Sequence, residues 1–66
     1  MGQLRDSIKK LRSTMGWSQE DLARKVDVSL STVQRWEGNV SVPSRLAKKQ
    51  LVKLFKKAKL EVPVMG

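Results

Sequence analysis

Two short amphipathic segments follow each other in the middle of the chain with almost no residues between them. The first is predicted to begin as a helix after Ser18 and the second after Ser29. Serine is a favoured N-cap residue because its side-chain oxygen accepts a hydrogen bond from the first helical turn. Only Asp27 and Val28 lie between the end of the first helix and the second cap. Helices joined this tightly must cross at a steep angle, which limits the folds open to the chain.

Two further amphipathic helices are predicted on either side of this pair. Helix 1 covers about residues 4 to 15, with apolar residues at intervals of four, three and four: Leu4, Ile8, Leu11 and Met15. Helix 4 covers about residues 44 to 58, with an apolar stripe of Ala47, Leu51, Leu54, Phe55 and Ala58. The sequence therefore predicts an all-α, compact four- to five-helix domain over residues 1–59, followed by an extended or frayed tail over residues 60–66.

The residue inventory argues against an enzyme. The chain has 66 residues and no Cys or His, so it lacks a thiolate nucleophile, an imidazole base and the usual zinc ligands. A chain this short buries only about 60% of its unfolded surface and supports one modest core. We therefore expect no catalytic residue, metal site, cofactor or small-molecule substrate.

The charge balance points to a polyanionic partner. Fourteen Lys and Arg against six Asp and Glu give a formal net charge of +8, and such an excess favours binding to nucleic acid. No stretch approaches the roughly 20 apolar residues of a membrane span, and residues 1 to 10 lack the apolar core of a signal peptide. The sequence thus predicts a cytoplasmic, nucleoid-associated protein without a membrane partner.

The second helix of the central pair has two different faces. Val33 and Trp36 are predicted to point inward, which leaves four residues at positions i, i+1, i+4 and i+5 on the outside: Leu30, Ser31, Gln34 and Arg35. The major groove of DNA offers a partner to each of these side chains, because Arg binds guanine, Gln binds adenine, Ser bonds to either base type and Leu contacts a thymine methyl. We predict that these four residues read DNA bases.

Residues 19 to 37 resemble the helix-turn-helix of the Cro and lambda-repressor-like family of DNA-binding domains. The resemblance rests on Gly16, a Ser-Gln pair opening helix 2, Leu22-Ala23, Val26, Ser29, Val33, Arg35-Trp36-Glu37 and Pro43-Ser44. It implies a lambda-repressor-like fold, a double-stranded DNA partner and a role in transcriptional regulation, of the repressor type. Relatives of this kind often bind palindromes as homodimers. The tail residues that can supply a dimer surface are Leu60, Val62, Val64 and Met65.

The resemblance also implies roles for residues outside the reading helix. In the resembled family the start of helix 2 grips the DNA backbone, which assigns this role to Ser18 and Gln19; we also expect backbone contacts from Ser29, Asn39, Ser41 and Arg45. A structural ion pair is expected between Arg12 and Glu37. The family usually has glycine where this chain has Asp27 and Asn39. Asp and Asn tolerate the left-handed conformation better than other non-glycine residues, so we predict a positive φ at Asp27.

Several residues also fit simpler interpretations. Leu30 fits an ordinary exposed apolar residue, and Gln34 with Arg35 fits a solvated helix face. The helix 4 lysines fit either attraction to DNA or simple solvation. The alternative function is a helical assembly module that uses the basic amphipathic helix 4 for a membrane surface or an acidic protein partner.

Overall fold

The computed structural model describes residues 3–65 and contains four α-helices within that range. They are α1 (Gln3–Met15), α2 (Gln19–Val26), α3 (Leu30–Glu37) and α4 (Arg45–Lys57). These bounds lie within a residue or so of the predicted ones, and the all-α fold class is confirmed. Met1, Gly2 and Gly66, which the predicted domain and tail include, lie outside the described residues. Over residues 3–65, no helix is both long enough and apolar enough to cross a membrane.

Serine side chains fix where three of the helices begin. Ser18 accepts a hydrogen bond from the backbone N–H of Asp21 at 3.0 Å, and its own N–H donates to the Asp21 carboxylate at 2.9 Å, which completes a capping box. Ser29 caps α3 and Ser44 caps α4 through the N–H groups three residues later. Each cap satisfies a backbone donor that the helix leaves without a partner.

All four helices end on the same backbone arrangement. A single residue with positive φ follows each one, namely Gly16 (71°), Asp27 (62°), Asn39 (62°) and Lys59 (58°). The next residue in each case donates its N–H to the carbonyl five positions earlier, at 2.8–2.9 Å. This bond is the mark of a Schellman C-cap. The prediction of positive φ at Asp27 is confirmed. Asn39 adopts the same conformation, so both positions where the family usually has glycine keep the left-handed backbone.

Replacing Lys59 by glycine is expected to stabilise the protein by about 1 kcal/mol, because an L-residue is strained in the left-handed region and glycine is not. The matched control is Gly16→Ala, which places a side chain in the same conformation at the end of α1. A Cβ at Gly16 meets no atom within 4 Å, so its expected penalty of about 1 kcal/mol is conformational alone. Urea unfolding measures both; equal stability of Lys59→Gly and wild type would contradict the expectation.

The core forms where the apolar faces of the helices meet. α3 packs against both α1 and α2, and α4 contacts α2. The largest fully buried side chains come from all four helices: Trp36, Phe55, Ile8, Leu11, Leu22, Leu51 and Val33. Two of them, Val33 and Trp36, are the inward residues that helical spacing predicted for α3, and their packing holds α3 against the rest of the domain.

The C-terminal segment is more involved in the core than the sequence indicated. Met65 is buried in the main cluster, and Leu60 packs against it. Residues 60–65 form neither helix nor strand, as an extended tail would, but these two side chains fill space beside the helices. Met65 is therefore not free to supply a dimer surface, whereas Leu60 is half-buried and Val62 and Val64 remain exposed.

Candidate nucleic-acid interface

Helix α3 presents opposite chemistry on its two sides. Val33 and Trp36 are 0% and 1% exposed, whereas Leu30 at the start of the helix is 38% exposed. The other outward residues, Ser31, Gln34 and Arg35, are exposed as well. The structure therefore brings together all four predicted base-reading residues on one side of one helix, and we call Leu30, Ser31, Gln34 and Arg35 the α3 ridge.

The α3 ridge has the dimensions of a major-groove element. An α-helix with its side chains is about 10–12 Å across, and the major groove is roughly 12 Å wide and admits a helix. The ridge offers one guanidinium fork, one amide, one hydroxyl and one apolar group. It contains no acidic side chain, so nothing on the ridge itself repels phosphate.

A bidentate ion pair ties α1 to the end of α3. Arg12 donates from Nε to Glu37 Oε2 at 2.7 Å and from Nη2 to Glu37 Oε1 at 2.9 Å. Glu37 is buried and Arg12 is half-buried. The hydrogen bond that Arg12 donates to Glu37 raises the pKa of the guanidinium above its ordinary value. The ion pair expected from the family resemblance is confirmed, and it fixes the orientation of α3 relative to α1.

A third side chain joins this pair and was missed from the sequence. Gln19 Nε2 donates to Glu37 Oε1 at 3.2 Å, so the first residue of α2 is held against the last residue of α3. Arg12 Nη1 also donates to the carbonyl oxygen of Trp17 at 3.3 Å. Gln19 was predicted only as a backbone-contact residue, and residue spacing gives no signal for a contact between positions 18 residues apart.

Five of the six predicted backbone-contact residues lie near one or the other end of α3, and the sixth, Arg45, begins α4. Gln19 lies at the Glu37 end through its hydrogen bond, and Ser18 precedes it. Asn39 and Ser41 follow the same end of α3. Ser18, Asn39 and Ser41 are all exposed. Ser29 lies at the other end as the cap of α3, where its hydroxyl also bonds to Thr32 Oγ1 at 2.9 Å. Arg45 is exposed as the first residue of α4.

The start of α2 carries two carboxylates beside the expected phosphate position. Glu20 forms an ion pair with Arg24, which lies one helical turn later in α2. Asp21 is engaged by the Ser18 backbone N–H, and this hydrogen bond, with the smaller effect of the Ser18 hydroxyl, lowers the pKa of Asp21. Both acids therefore have local partners, and the helix dipole favours their charge at this end of α2.

Acidification is expected to destabilise the protein through Asp21. Because its pKa is lower in the folded than in the unfolded chain, the stabilisation is complete above the ordinary value of 3.8 and is lost as the pH falls through the folded pKa. Urea unfolding at pH values of about 6 and about 3 measures this loss. Asp21→Asn keeps the side-chain oxygen without the charge and should reduce the acid sensitivity; an unchanged sensitivity would contradict this role of Asp21.

The remaining positive charge is concentrated on α4 and just after it. Seven of the fourteen cationic residues lie between residues 45 and 59, and no acidic residue lies among them. The apolar stripe of the same helix points into the protein, with Ala47, Leu51 and Phe55 buried and Leu54 packed against the core. The outer side of α4 is therefore basic and hydrophilic apart from Leu46.

Comparison with known proteins agrees with this arrangement. The family model described as helix-turn-helix matches residues 8–58, which include α2 to α4 and most of α1. No curated protein and no solved structure matched the chain. Domains of this family bind double-stranded DNA, are typical of transcriptional regulators and are not enzymatic. The match covers well over half of the sequence, and the chain therefore belongs to the helix-turn-helix family, with a domain of the Cro and lambda-repressor-like type.

Proposed function

We propose that this chain is a sequence-specific transcriptional regulator of the repressor type that reads double-stranded DNA with the α3 ridge in the major groove. The observation that carries the proposal is the contrast between the two sides of α3, where Val33 and Trp36 are buried and the polar ridge is exposed. The ridge combines a guanidinium, an amide and a hydroxyl, which are groups that pair with base edges in the major groove. Residues 1–59 act as the DNA-binding domain.

Backbone contacts position the ridge in this proposal. Ser18 and Gln19 at the start of α2 approach one phosphate group, where the free N–H groups and the positive end of the helix dipole favour an anion. Ser29, Asn39, Ser41 and Arg45 hold the DNA backbone on the other flanks. The Arg12–Glu37–Gln19 contacts support this placement, because they fix the start of α2 relative to α3.

The alternative is an assembly module that uses α4 on a membrane surface or an acidic protein. A membrane-binding amphipathic helix inserts its large apolar side chains into the lipid. In α4 those side chains, Leu51 and Phe55, are occupied by the core, which favours DNA over a membrane as the partner. We also propose a cytoplasmic, nucleoid-associated location, and the proposed DNA binding requires no cofactor.

A salt titration with labelled duplex DNA tests the proposal. The logarithm of the binding constant is expected to fall linearly with the logarithm of salt concentration, with a slope of about −0.9 per phosphate neutralised. Competition with unlabelled duplexes of differing sequence should separate a preferred site from the rest. Anionic vesicles serve as the control. Absence of duplex binding at low salt, or tighter binding to vesicles than to any duplex, would contradict the proposal.

A further inference from the structure

Four lysines line the outer side of α4. They occupy positions i, i+4, i+7 and i+8, which share one face of a helix: Lys49, Lys53, Lys56 and Lys57. All four are exposed, and the only other exposed residue between positions 49 and 57 is Gln50. We call Lys49, Lys53, Lys56 and Lys57 the α4 basic stripe.

The cations of the α4 basic stripe have no compensating partner of the kind found elsewhere in the chain. Outside α4, Arg5, Arg12 and Arg24 form ion pairs with carboxylates, and Lys25 Nζ lies 5.5 Å from the centre of the Trp17 ring. Among residues 3–65, no lysine of the stripe forms an ion pair. Of the four described helices, α4 alone contains no acidic residue. Its positive charge is therefore left uncompensated within this part of the chain.

This arrangement works against the stability of α4. Like charges three or four residues apart repel each other on a helix surface, and Lys53 stands at that spacing from Lys49, Lys56 and Lys57. A surface built for solubility intersperses charges of both signs, which removes the repulsion. Features that oppose local stability are expected at functional sites. The charge pattern of the stripe thus indicates an anionic partner.

The composition of the stripe favours the backbone of duplex DNA over other polyanions. Lysine binds phosphate as a point charge and does not read bases. Single-stranded nucleic acid is held by aromatic side chains and a membrane by inserted apolar ones, and the exposed residues between 49 and 57 include neither type. The four lysines extend over about 12 Å of helix, and over such a length a duplex is straight and carries evenly spaced phosphates.

The stripe lies apart from the α3 ridge. α1 packs against the buried side of α3. Ser7 and Lys10 of α1 line one gap together with Phe55 and Leu60, which lie at and just after the end of α4. The later half of α4 therefore adjoins α1, on the side of the domain behind α3. A duplex bound by the α3 ridge leaves the stripe accessible to a second duplex.

We propose that the α4 basic stripe binds the backbone of a second duplex without regard to its sequence, so that one chain bridges two segments of DNA. This rests on the proposed function, because the α3 ridge supplies the first contact. Four contacts between lysine and phosphate give a slope of about −3.6 for the logarithm of the second binding constant against that of salt concentration. Binding of the second duplex should therefore weaken roughly 100-fold between about 50 and about 200 mM salt.

The test uses one duplex to capture another. A biotinylated duplex with the preferred site is immobilised, and recovery of a fluorescent duplex without that site is measured as protein is added at low salt. The stripe variant is Lys53→Glu, and the matched control is Lys9→Glu, which makes the same change of charge at an exposed position of α1. The stronger variant combines Lys49→Gln, Lys53→Gln, Lys56→Gln and Lys57→Gln. Circular dichroism and urea unfolding confirm that each variant folds.

Wild type and Lys9→Glu are expected to recover the second duplex with the salt dependence given above. Lys53→Glu should weaken its binding about 10-fold at about 50 mM salt, since it removes at least one phosphate contact, and the combined variant should abolish recovery. Both stripe variants should still prefer the site-bearing duplex over an unrelated one, because the α3 ridge is intact. Sedimentation with excess DNA should show one wild-type chain carrying two duplexes.

Four results would overturn the bridging role while the proposed function stands: no recovery of the second duplex by wild type, equal losses in Lys9→Glu and Lys53→Glu, two chains in each bridged pair of duplexes, or tighter capture of anionic vesicles than of the second duplex. Weaker binding of Lys53→Glu to a single long duplex, with recovery unchanged, would overturn it too, because the stripe would then contact the duplex that the ridge reads. Failure of wild type to bind any duplex would refute the proposed function itself.

Discussion

Replacing Arg12 by methionine is expected to destabilise the protein by about 3 kcal/mol, because the substitution leaves a buried carboxylate without its main partner. Glu37 receives both of its short hydrogen bonds from Arg12, and the weaker bond from Gln19 at 3.2 Å cannot replace a charge. Methionine fills much of the arginine volume, so the decrease in the free energy of unfolding comes mainly from the lost ion pair and less from lost packing. Urea unfolding followed by tryptophan fluorescence measures it.

The double variant Arg12→Met with Glu37→Met is the control. A buried ion pair can often be exchanged for apolar side chains of similar volume with little loss of stability, so the double variant should recover most of what Arg12→Met loses. The coupling between the two positions should then exceed about 1 kcal/mol, as expected for residues in direct contact. Additive effects of the two single substitutions would show that the pair does not stabilise the orientation of α3.

Replacing Arg35 by alanine is expected to weaken binding to the preferred duplex by about 10- to 100-fold, since a bidentate contact to guanine contributes about 1–3 kcal/mol of discrimination. The folded protein should be unaffected, because Arg35 is exposed and forms no side-chain hydrogen bond or ion pair among the described residues. Competitive titration against a preferred and an unrelated duplex measures the change.

Lys53→Ala provides the matched loss of one positive charge. Lys53 is exposed on α4 and is not part of the α3 ridge, so its removal should weaken binding to both duplexes alike. Arg35→Ala should reduce the ratio of the two affinities, while Lys53→Ala should leave that ratio unchanged. Equal effects of the two substitutions on the ratio would assign Arg35 to phosphate binding and remove it from the base-reading set.

The helix boundaries could be predicted because the signals that set them are local. A serine cap acts on a backbone N–H three residues away, and the C-terminal turns depend on a single residue with positive φ. Asp27 could be assigned this conformation because it stands where related domains use glycine. The division of α3 into a buried and an exposed side follows from helical periodicity, which requires only the spacing of Val33 and Trp36.

Contacts between distant positions could not be predicted in the same way. No spacing rule joins Gln19 to Glu37, and no periodicity predicts that Met65 returns to the core. These features depend on how the helices pack, and local sequence does not determine that packing.

Selection of bound duplexes from a random pool tests the reading role of the α3 ridge most directly. Wild type is expected to enrich one sequence motif, Arg35→Ala should lose the preference for guanine at one position, and Gln34→Ala should lose an adenine preference at a neighbouring one. The rest of the motif should persist in both variants. Enrichment of the same motif by a chain with Leu30, Ser31, Gln34 and Arg35 all replaced by alanine would contradict the account.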